Sequence, residues 1–296
     1  VVDYSIAGCF DSVEELLGWV SRTRSDVPVV TKVRTGGSVD VSVETVDEWL
    51  DHGRITSASI AFSKDNQAAP LEEFSSGMQI QGKVWPFLVS PDRARSLIGR
   101  GYSMVLSGPE AWDPDFRRFA SAFTESSLCL LNTMIFVTPR LSTGFFPHRD
   151  RDDHVVCVQT VGTKEWRLYD AAPAGWSEHD GDKPAESALT SSVRLGPGDA
   201  LVIPRGWGHA ASAMDEPSIH LSYGLNYVDF GELYRLSLIS ALRELPKSAT
   251  VEQTRDTIAE IDAEVRECDR VSLLRDFVAR QYRSDGSTLA SVLGQE

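Results

Sequence analysis

The sequence predicts a mainly β protein: a sandwich or barrel of short strands, with an α/β layer before it and a short helical region after it. Three observations carry this expectation. From about residue 128, β-branched and aromatic runs follow one another at close spacing: "LCLLNTMIFVTP", "HVVCVQTV", "KEWRLYDA", "SSVRLGPGDALVIP" and "SIHLSYGLNYV". Ahead of them, helix-period stretches alternate with short β-branched runs. After about residue 229, Leu233, Leu236, Ile239 and Leu242 recur every three residues, and Ile258, Ile261 and Val265 continue in a second stripe, so the fold turns helical.

The elements follow in order. Residues 11–24, "DSVEELLGWVSRTR", open on acidic residues, carry apolar positions at helical spacing and end in arginines, a charge order that suits the helix dipole. "VPVVTKVR", "VDVSVETV" and "ITSASIAF" are read as strands separated by Gly, Asp and polar turns. "SPDRARSLIGRG" and "DPDFRRFASAFTES" begin with Ser-Pro and Asp-Pro, a helix cap followed by a first-turn proline, so they are read as helices with "YSMVLSG" a strand between them. No internal repeat or low-complexity tract interrupts the sequence.

A protein of 296 residues with 42% hydrophobic content can bury a substantial core. No stretch approaches the roughly eighteen uninterrupted apolar residues of a membrane span, and "VVDYSIAGCFDSVEELL" lacks a basic leader and an apolar cleavage-type segment, so a soluble protein is expected. Cys9, Cys129, Cys157 and Cys268 lie far apart without a C-x-x-C pair, which argues against a zinc ribbon or disulfide framework and suits a reducing cytoplasm. A net charge of -14 repels a phosphate backbone, so small molecules or basic polypeptides, not nucleic acid, are the expected partners. No G-x-S-x-G elbow, Walker loop or strand-linked G-x-G-x-x-G supports a hydrolase, P-loop or dinucleotide reading.

His148 and Asp150 stand two apart, so on an extended strand both project from one face, as two ligands of one ion must. With 6 His and 43 acidic residues, about one such pair arises by chance, and a solvated charged loop is the competing reading. "GDALVIPRGWGH", residues 198–209, is more specific. Gly198 and Asp199 turn the backbone into a buried strand, Pro204 ends its ladder, and Gly206 permits a tight reversal that returns His209 to the interior. This stretch resembles the second signature of the cupin superfamily, whose double-stranded β-helix (a jelly-roll core) places metal ligands on facing strands. Ala213 stands where an Asn often follows. Together His148, Asp150 and His209 make a two-histidine, one-carboxylate set of the kind that holds non-haem Fe(II) with open coordination positions.

"NTMIFVTPRLSTGFFPHRDRDDHVVCVQTVGTKEWRLYD", "GDALVIPRGWGHAASA" and "SIHLSYGL" resemble the JmjC-type, cupin-fold 2-oxoglutarate oxygenases, specifically their ribosomal-oxygenase-like branch. The resemblance runs from the N-terminal helix to about residue 228 and is most specific over 132–225. It implies a double-stranded β-helix core over about 128–228 within a domain of residues 1–228, followed by a helical region over 229–296 that pairs two copies of the protein. The helical periodicity itself establishes only a buried face. The resemblance also implies Fe(II), 2-oxoglutarate and O2 as requirements, with succinate and CO2 released beside a hydroxylated residue of a peptide or protein, or a hydroxylated amino acid. His148, Asp150 and His209 then match the iron ligands and catalytic residues, and Lys164 matches the cation that pairs with the far carboxylate of 2-oxoglutarate.

The sequence departs from that pattern at two points. Phe136 occupies a position usually held by Tyr, which removes a hydroxyl from the cosubstrate pocket; Asn132, on the same strand face, is a candidate to replace it. The interval from Asp150 to Gln159 is one residue longer than usual, which implies a bulge and leaves neighbouring acids in play. Strand parity allows Asp152 or His154 to face the metal, and a four-ligand site of His148, Asp150, His154 and His209 is the alternative. His220 is read either as a contact supporting the cosubstrate or as a satisfied core histidine. His52 and His179 are read as solvated, Trp166 as core, and Trp207 as shaping the substrate entrance. Two other classes compete with the oxygenase: a metal cupin isomerase or 2-oxoglutarate-independent dioxygenase using His154, and a binding module that keeps the barrel without catalysis.

Overall fold

A computed structural model of the protein describes residues 26–33, 41–127, 129–150, 154–174, 176, 183–185, 188–227, 230–267 and 272. The helix expected at 11–24, Asp152, His179 and the expected bulge before His154 lie outside the described residues.

Strand β1 spans Val29–Lys32. The next run, read as a strand from its alternating valines, instead leads into helix α1, Val43–Asp51. Local capping decides this: Ser42 Oγ accepts the backbone N–H of Thr45 at 3.2 Å, Glu44 sits in the first turn, and Val46 and Leu50 bury one face at i, i+4 spacing. Strands β2 (Ile60–Lys64) and β3 (Gln67–Ala68) form a hairpin around Asp65 and Asn66. A second hairpin joins β4 (Ser75–Ile80) to β5 (Lys83–Val89), with φ of 50° and 77° at Gln81 and Gly82, the left-handed turn that two-residue hairpins favour. It was not expected from the sequence, because Gly77 and Pro86 both weaken a strand reading.

Helix α2 (Pro91–Gly99), strand β6 (Ser103–Ser107) and helix α3 (Pro114–Ser127) match the sequence reading. Asp113 Oδ1 caps α3, accepting the N–H groups of Asp115 and Phe116 at 2.8 and 3.1 Å. Seven strands of the core then follow: β7 (Cys129–Thr138), β8 (His148–Arg149), β9 (His154–Val161), β10 (Lys164–Ala171), β11 (Leu189–Leu195), β12 (Asp199–Pro204) and β13 (Trp207–Ala213). Strand β14 (Ser218–Tyr227) and helices α4 (Phe230–Glu244) and α5 (Val251–Glu267) complete the described elements.

These strands form a double-stranded β-helix. The larger sheet runs β1-β12-β9-β14-β7-β6-β2-β3 and the smaller β11-β10-β13-β8. Their facing sides meet in one core: Val155, Cys157, Leu201 and Ile203 from the larger sheet pack with Trp166, Leu168 and Leu195 from the smaller. Strands β9 and β12 are buried on both faces, which is why their sequences read as continuous apolar runs without alternation.

The protein divides into two compact units, residues 1–119 with 131–226, and residues 120–130 with 227–296. In the second, Leu233, Ile261 and Val265 are buried and the Tyr234 hydroxyl donates to Asp262 at 2.8 Å. The three-residue stripe of α4 is not uniformly buried: Leu236 and Leu242 are half-buried and Ile239 is 37% exposed. A spacing of three falls short of the 3.6-residue turn, so the four positions drift around the helix. Among the described residues, no helix is long and apolar enough to cross a membrane.

Candidate metal centre

His148 opens β8, Asp150 directly follows that strand, and His209 lies on β13. The two strands pair antiparallel with His209 directly opposite His148, so both imidazoles stand on one face, ring centroids 4.5 Å apart. Asp150 closes the group: its Oδ1 lies 3.6 Å from His148 Nε2 and its Oδ2 3.3 Å from His209 Nε2. One donor atom from each residue lies within 4.8 Å of the others.

The backbone fixes which nitrogen of each ring faces the centre. His148 Nδ1 bonds the carbonyl of Phe146 at 2.9 Å and His209 Nδ1 the carbonyl of Trp207 at 3.2 Å. A carbonyl only accepts, so each Nδ1 carries the hydrogen and each Nε2 turns a lone pair toward a carboxylate oxygen. Burial holds the His209 imidazole below the usual histidine range, Asp150 pulling the other way and His148 adding to the depression. Two lone pairs and a carboxylate aimed at one point form a set that a divalent cation satisfies, with ligand orientation fixed by the outer hydrogen bonds. His154 pairs with Pro204 in the ladder and is not part of this close group of donor atoms.

The triad borders a cavity of about 370 Å³ within the first unit, a volume that suits small-molecule binding. Strand β7 lines it on one side with alternate residues Asn132, Met134, Phe136 and Thr138. Lys164 stands at the Thr138 end, 3% exposed, its Nζ donating to Thr138 Oγ1 at 3.0 Å and lying 3.2 Å from His220 Nδ1. Burial lowers the Lys164 ammonium to about 7, with Cys157 acting in the opposite direction. A buried amine that faces a cavity is of a chemistry suited to an anionic group such as a carboxylate.

The turn before Lys164 explains its placement. Gln159 Nε2 donates to the carbonyls of Val161 and Gly162, at 2.7 and 3.1 Å, and to Ser218 Oγ at 2.8 Å. Gly162 has φ +65°, and a Cβ there would lie 2.0 Å from the carbonyl oxygen of Pro217, so only glycine fits. The spacing Q-x-x-G-x-K is thus a turn that delivers one lysine into the barrel.

His220 also lines the cavity, stacked on Phe136 with centroids 4.6 Å apart and 7° between planes, its ring edge-on to Trp166 at 5.3 Å. While Lys164 is an ammonium it has only hydrogens to offer, so Nδ1 accepts and the ring hydrogen sits on Nε2; burial first, then Lys164 and His209, keep the imidazole neutral. Asn132 is on the same face of β7 but four residues from Phe136, a separation of about 13 Å at ~3.3 Å per residue. It is His220, not Asn132, that packs on Phe136. Trp166 is buried in the core and also walls the cavity, whereas the indole N–H of Trp207 donates to the carbonyl of Asp26 at 3.0 Å and the residue is not a cavity wall. His52 ends α1 and is exposed. Thr138 was missed in the sequence, although its parity with Phe136 along β7 carries the signal.

Residues 107–233 match the JmjC domain family. The chain is 26% identical over 238 residues to the bifunctional lysine-specific demethylase and histidyl-hydroxylase NO66 of Drosophila pseudoobscura pseudoobscura, covering 78% of this chain and 23% of that protein. It is 34% identical over 147 residues to ribosomal oxygenase 1 of Rattus norvegicus, covering 45% of this chain and 23% of the relative. The chain therefore spans less than a quarter of the length of these relatives. Its fold matches that of YcfD, a ribosomal oxygenase from Escherichia coli solved with cobalt and 2-oxoglutarate, at a TM-score of 0.54 and 15% identity over 91% of this chain and 72% of that one.

Proposed function

Taking residues 107–233 as a JmjC domain of the ribosomal-oxygenase-like branch, we propose that the protein is an Fe(II)- and 2-oxoglutarate-dependent dioxygenase. Its target would be a C–H bond in a side group of a peptide, protein or amino acid, which it hydroxylates. One observation carries this reading: a tautomer-locked His148, Asp150, His209 set and a buried Lys164 face the same cavity. The relative named as a histidyl-hydroxylase supports a protein or peptide residue as the target.

His148, Asp150 and His209 would hold the iron. Iron(II) with 2-oxoglutarate and O2 supplies the oxidising chemistry, releasing succinate and CO2. Lys164 holds the distal carboxylate by charge, and the Thr138 hydroxyl, accepting from Lys164, keeps its own hydrogen free for the same anion. His220 lines the cavity beside Phe136 and, with Nδ1 accepting from the Lys164 ammonium, would supply its Nε2–H as the donor where the tyrosine hydroxyl of relatives is missing. Phe136, Trp166 and Met134 exclude water, which strengthens each of these contacts.

The test is turnover of 2-oxoglutarate to succinate by Fe(II)-loaded protein without a second substrate. Wild-type protein is expected to show slow turnover, lost in His148→Ala and suppressed in Lys164→Ala. Turnover that survives both substitutions, or Fe(II) binding indifferent to His148→Ala, sinks the proposal. The 2-oxoglutarate-independent alternative requires His154, which lies outside the ligand group.

A homodimer in a reducing cytoplasm is part of the same reading. Ile239 and Ile258, each 37% exposed on α4 and α5, support pairing of the helical unit, and the buried thiols of Cys129 and Cys157, neither of them in a disulfide, support the compartment. Light scattering is expected to give twice the protomer mass for wild-type protein and a lower mass for Ile239→Glu; a monomeric wild type overturns the dimer.

A further inference from the structure

Arg149, the second residue of β8, stands between His148 and Asp150 in the sequence and projects from the face of the strand opposite His148. It is buried, its side group 8% exposed, and its guanidinium is shared among three acceptors. Nη1 donates to the carbonyls of Asp170 and Gly206, at 2.7 and 2.8 Å, and Nη2 to the Asp170 carboxylate at 2.9 Å. Asp170 lies near the end of β10. Gly206, with φ +77°, is the turn between β12 and β13, three residues before His209. The same Gly206 carbonyl accepts from Ala172 N–H at 2.8 Å. One planar group therefore ties β8, the end of β10 and the turn that aims His209.

Strand β8 needs such a tie. Among the described residues it has two members, and its ladder there consists of Arg149 opposite Gly208 and His148 opposite His209. Strand β10 pairs with β13, but the register breaks between Leu168 and Ala171, next to Asp170. Among the described residues the interstrand ladder is thus short or broken where the three ligands must be held to a fraction of an ångström. A guanidinium suits this place because its rigid fork serves several acceptors at once, and the Asp170 carboxylate offsets a positive charge that would otherwise oppose a bound cation.

We propose that Arg149 is the positioning residue of the metal centre, setting the spacing of His148 on β8 and of Asp150 just after it relative to His209 on β13 through its bonds to Asp170 and Gly206. The inference rests on the reading of the triad as a metal site. A point-charge amine cannot span the three acceptors, so lysine does not replace it.

The test is anaerobic titration of the full-length protein with Co(II), following the visible absorption of the bound ion, alongside the melting temperature of the metal-free protein. Arg149→Met and Arg149→Lys are expected to weaken Co(II) binding by about tenfold or more and to change the absorption bands, as loss of a ligand-orienting group does. Asp170→Asn, at a half-exposed partner, is expected to weaken binding by about threefold and carries the test should the Arg149 variants fail to fold. Unchanged affinity and bands in folded variants, with only a lower melting temperature, mark Arg149 as a purely structural residue and overturn the proposal. Wild-type protein that binds no Co(II) overturns the underlying metal reading instead, before any substitution is made.

Discussion

Lys164 Nζ lies 3.2 Å from His220 Nδ1 inside the barrel, so the two groups cannot both carry a proton at the shared edge. The lysine is brought to about 7 by burial and the histidine is pushed well below its ordinary value by the same cause. Of this pair only Lys164 therefore brings positive charge to the cavity, and only over part of the neutral range. A carboxylate binds the ammonium form and raises its pKa, so binding takes up a proton when the pH exceeds about 7. Succinate affinity is expected to be level below pH 7 and to fall about tenfold per unit above it. Calorimetry in two buffers of different ionisation enthalpy measures the uptake directly; equal affinity at pH 7 and pH 9 refutes this account of Lys164.

The same burial sets a stability signature. The folded pKa of about 7 lies below the ordinary 10.5, so between those values the unfolded state binds more protons and stability rises with pH. Below pH 7 the fold carries a buried ammonium at a cost of a few kcal/mol. Lys164→Met removes that cost. The melting temperature of the variant relative to wild type is expected to be highest near pH 6 and to decline steadily toward pH 10. A difference independent of pH would mean that the amine is solvated in the folded protein.

Phe136 and His220 form the stacked pair against which the distal carboxylate would rest. If His220 supplies the donor, His220→Ala raises KM for 2-oxoglutarate about tenfold or more, the loss of one hydrogen bond to a charged group, while Fe(II) affinity is unchanged. Phe136→Tyr restores a hydroxyl at the ring edge and is expected to lower KM several-fold. Steady-state kinetics with varied 2-oxoglutarate decides; a KM unmoved by both substitutions places the carboxylate elsewhere.

The parts of this architecture that were legible in the sequence are those where local chemistry and tertiary packing agree. The run from Asp199 to Pro204, followed by Gly206 and His209, reads correctly because Pro204 and Gly206 dictate the reversal wherever they are placed. The valines at 39–46 misled because alternation and capping point to different elements there, and the Ser42 cap prevailed. The hairpin at Ser75–Val89 was hidden by Gly77 and Pro86. Strand parity brought His148 and Asp150 together in advance, but it could not reveal that Arg149 reaches Gly206, 57 positions away, since such a contact depends on the closure of the barrel. The tautomers of His148 and His209 were equally hidden, because they are set by carbonyls whose direction only the folded turns define.

Glu110 offers a test of the barrel independent of any ligand. Strand β6 stops at Ser107, opposite Met134, and the next N–H of β7, that of Thr133, is received by Glu110 Oε1 at 3.0 Å. The carboxyl is 7% exposed, and burial raises it to about 6 while the bond from Thr133 pulls the other way. A folded pKa above the ordinary 4.5 means that the protonated form is favoured in the fold: the stabilisation is complete below about 4.5 and is lost as pH rises through about 6. At neutral pH and above, the ionised carboxylate costs about 2 kcal/mol. Glu110→Gln keeps an oxygen for Thr133 and cannot ionise, so its stability relative to wild type is expected to increase by about that amount between pH 4.5 and pH 8. Urea unfolding at both pH values measures the change, and a variant whose relative stability stays the same at the two would show that water reaches the Glu110 carboxyl in the folded state.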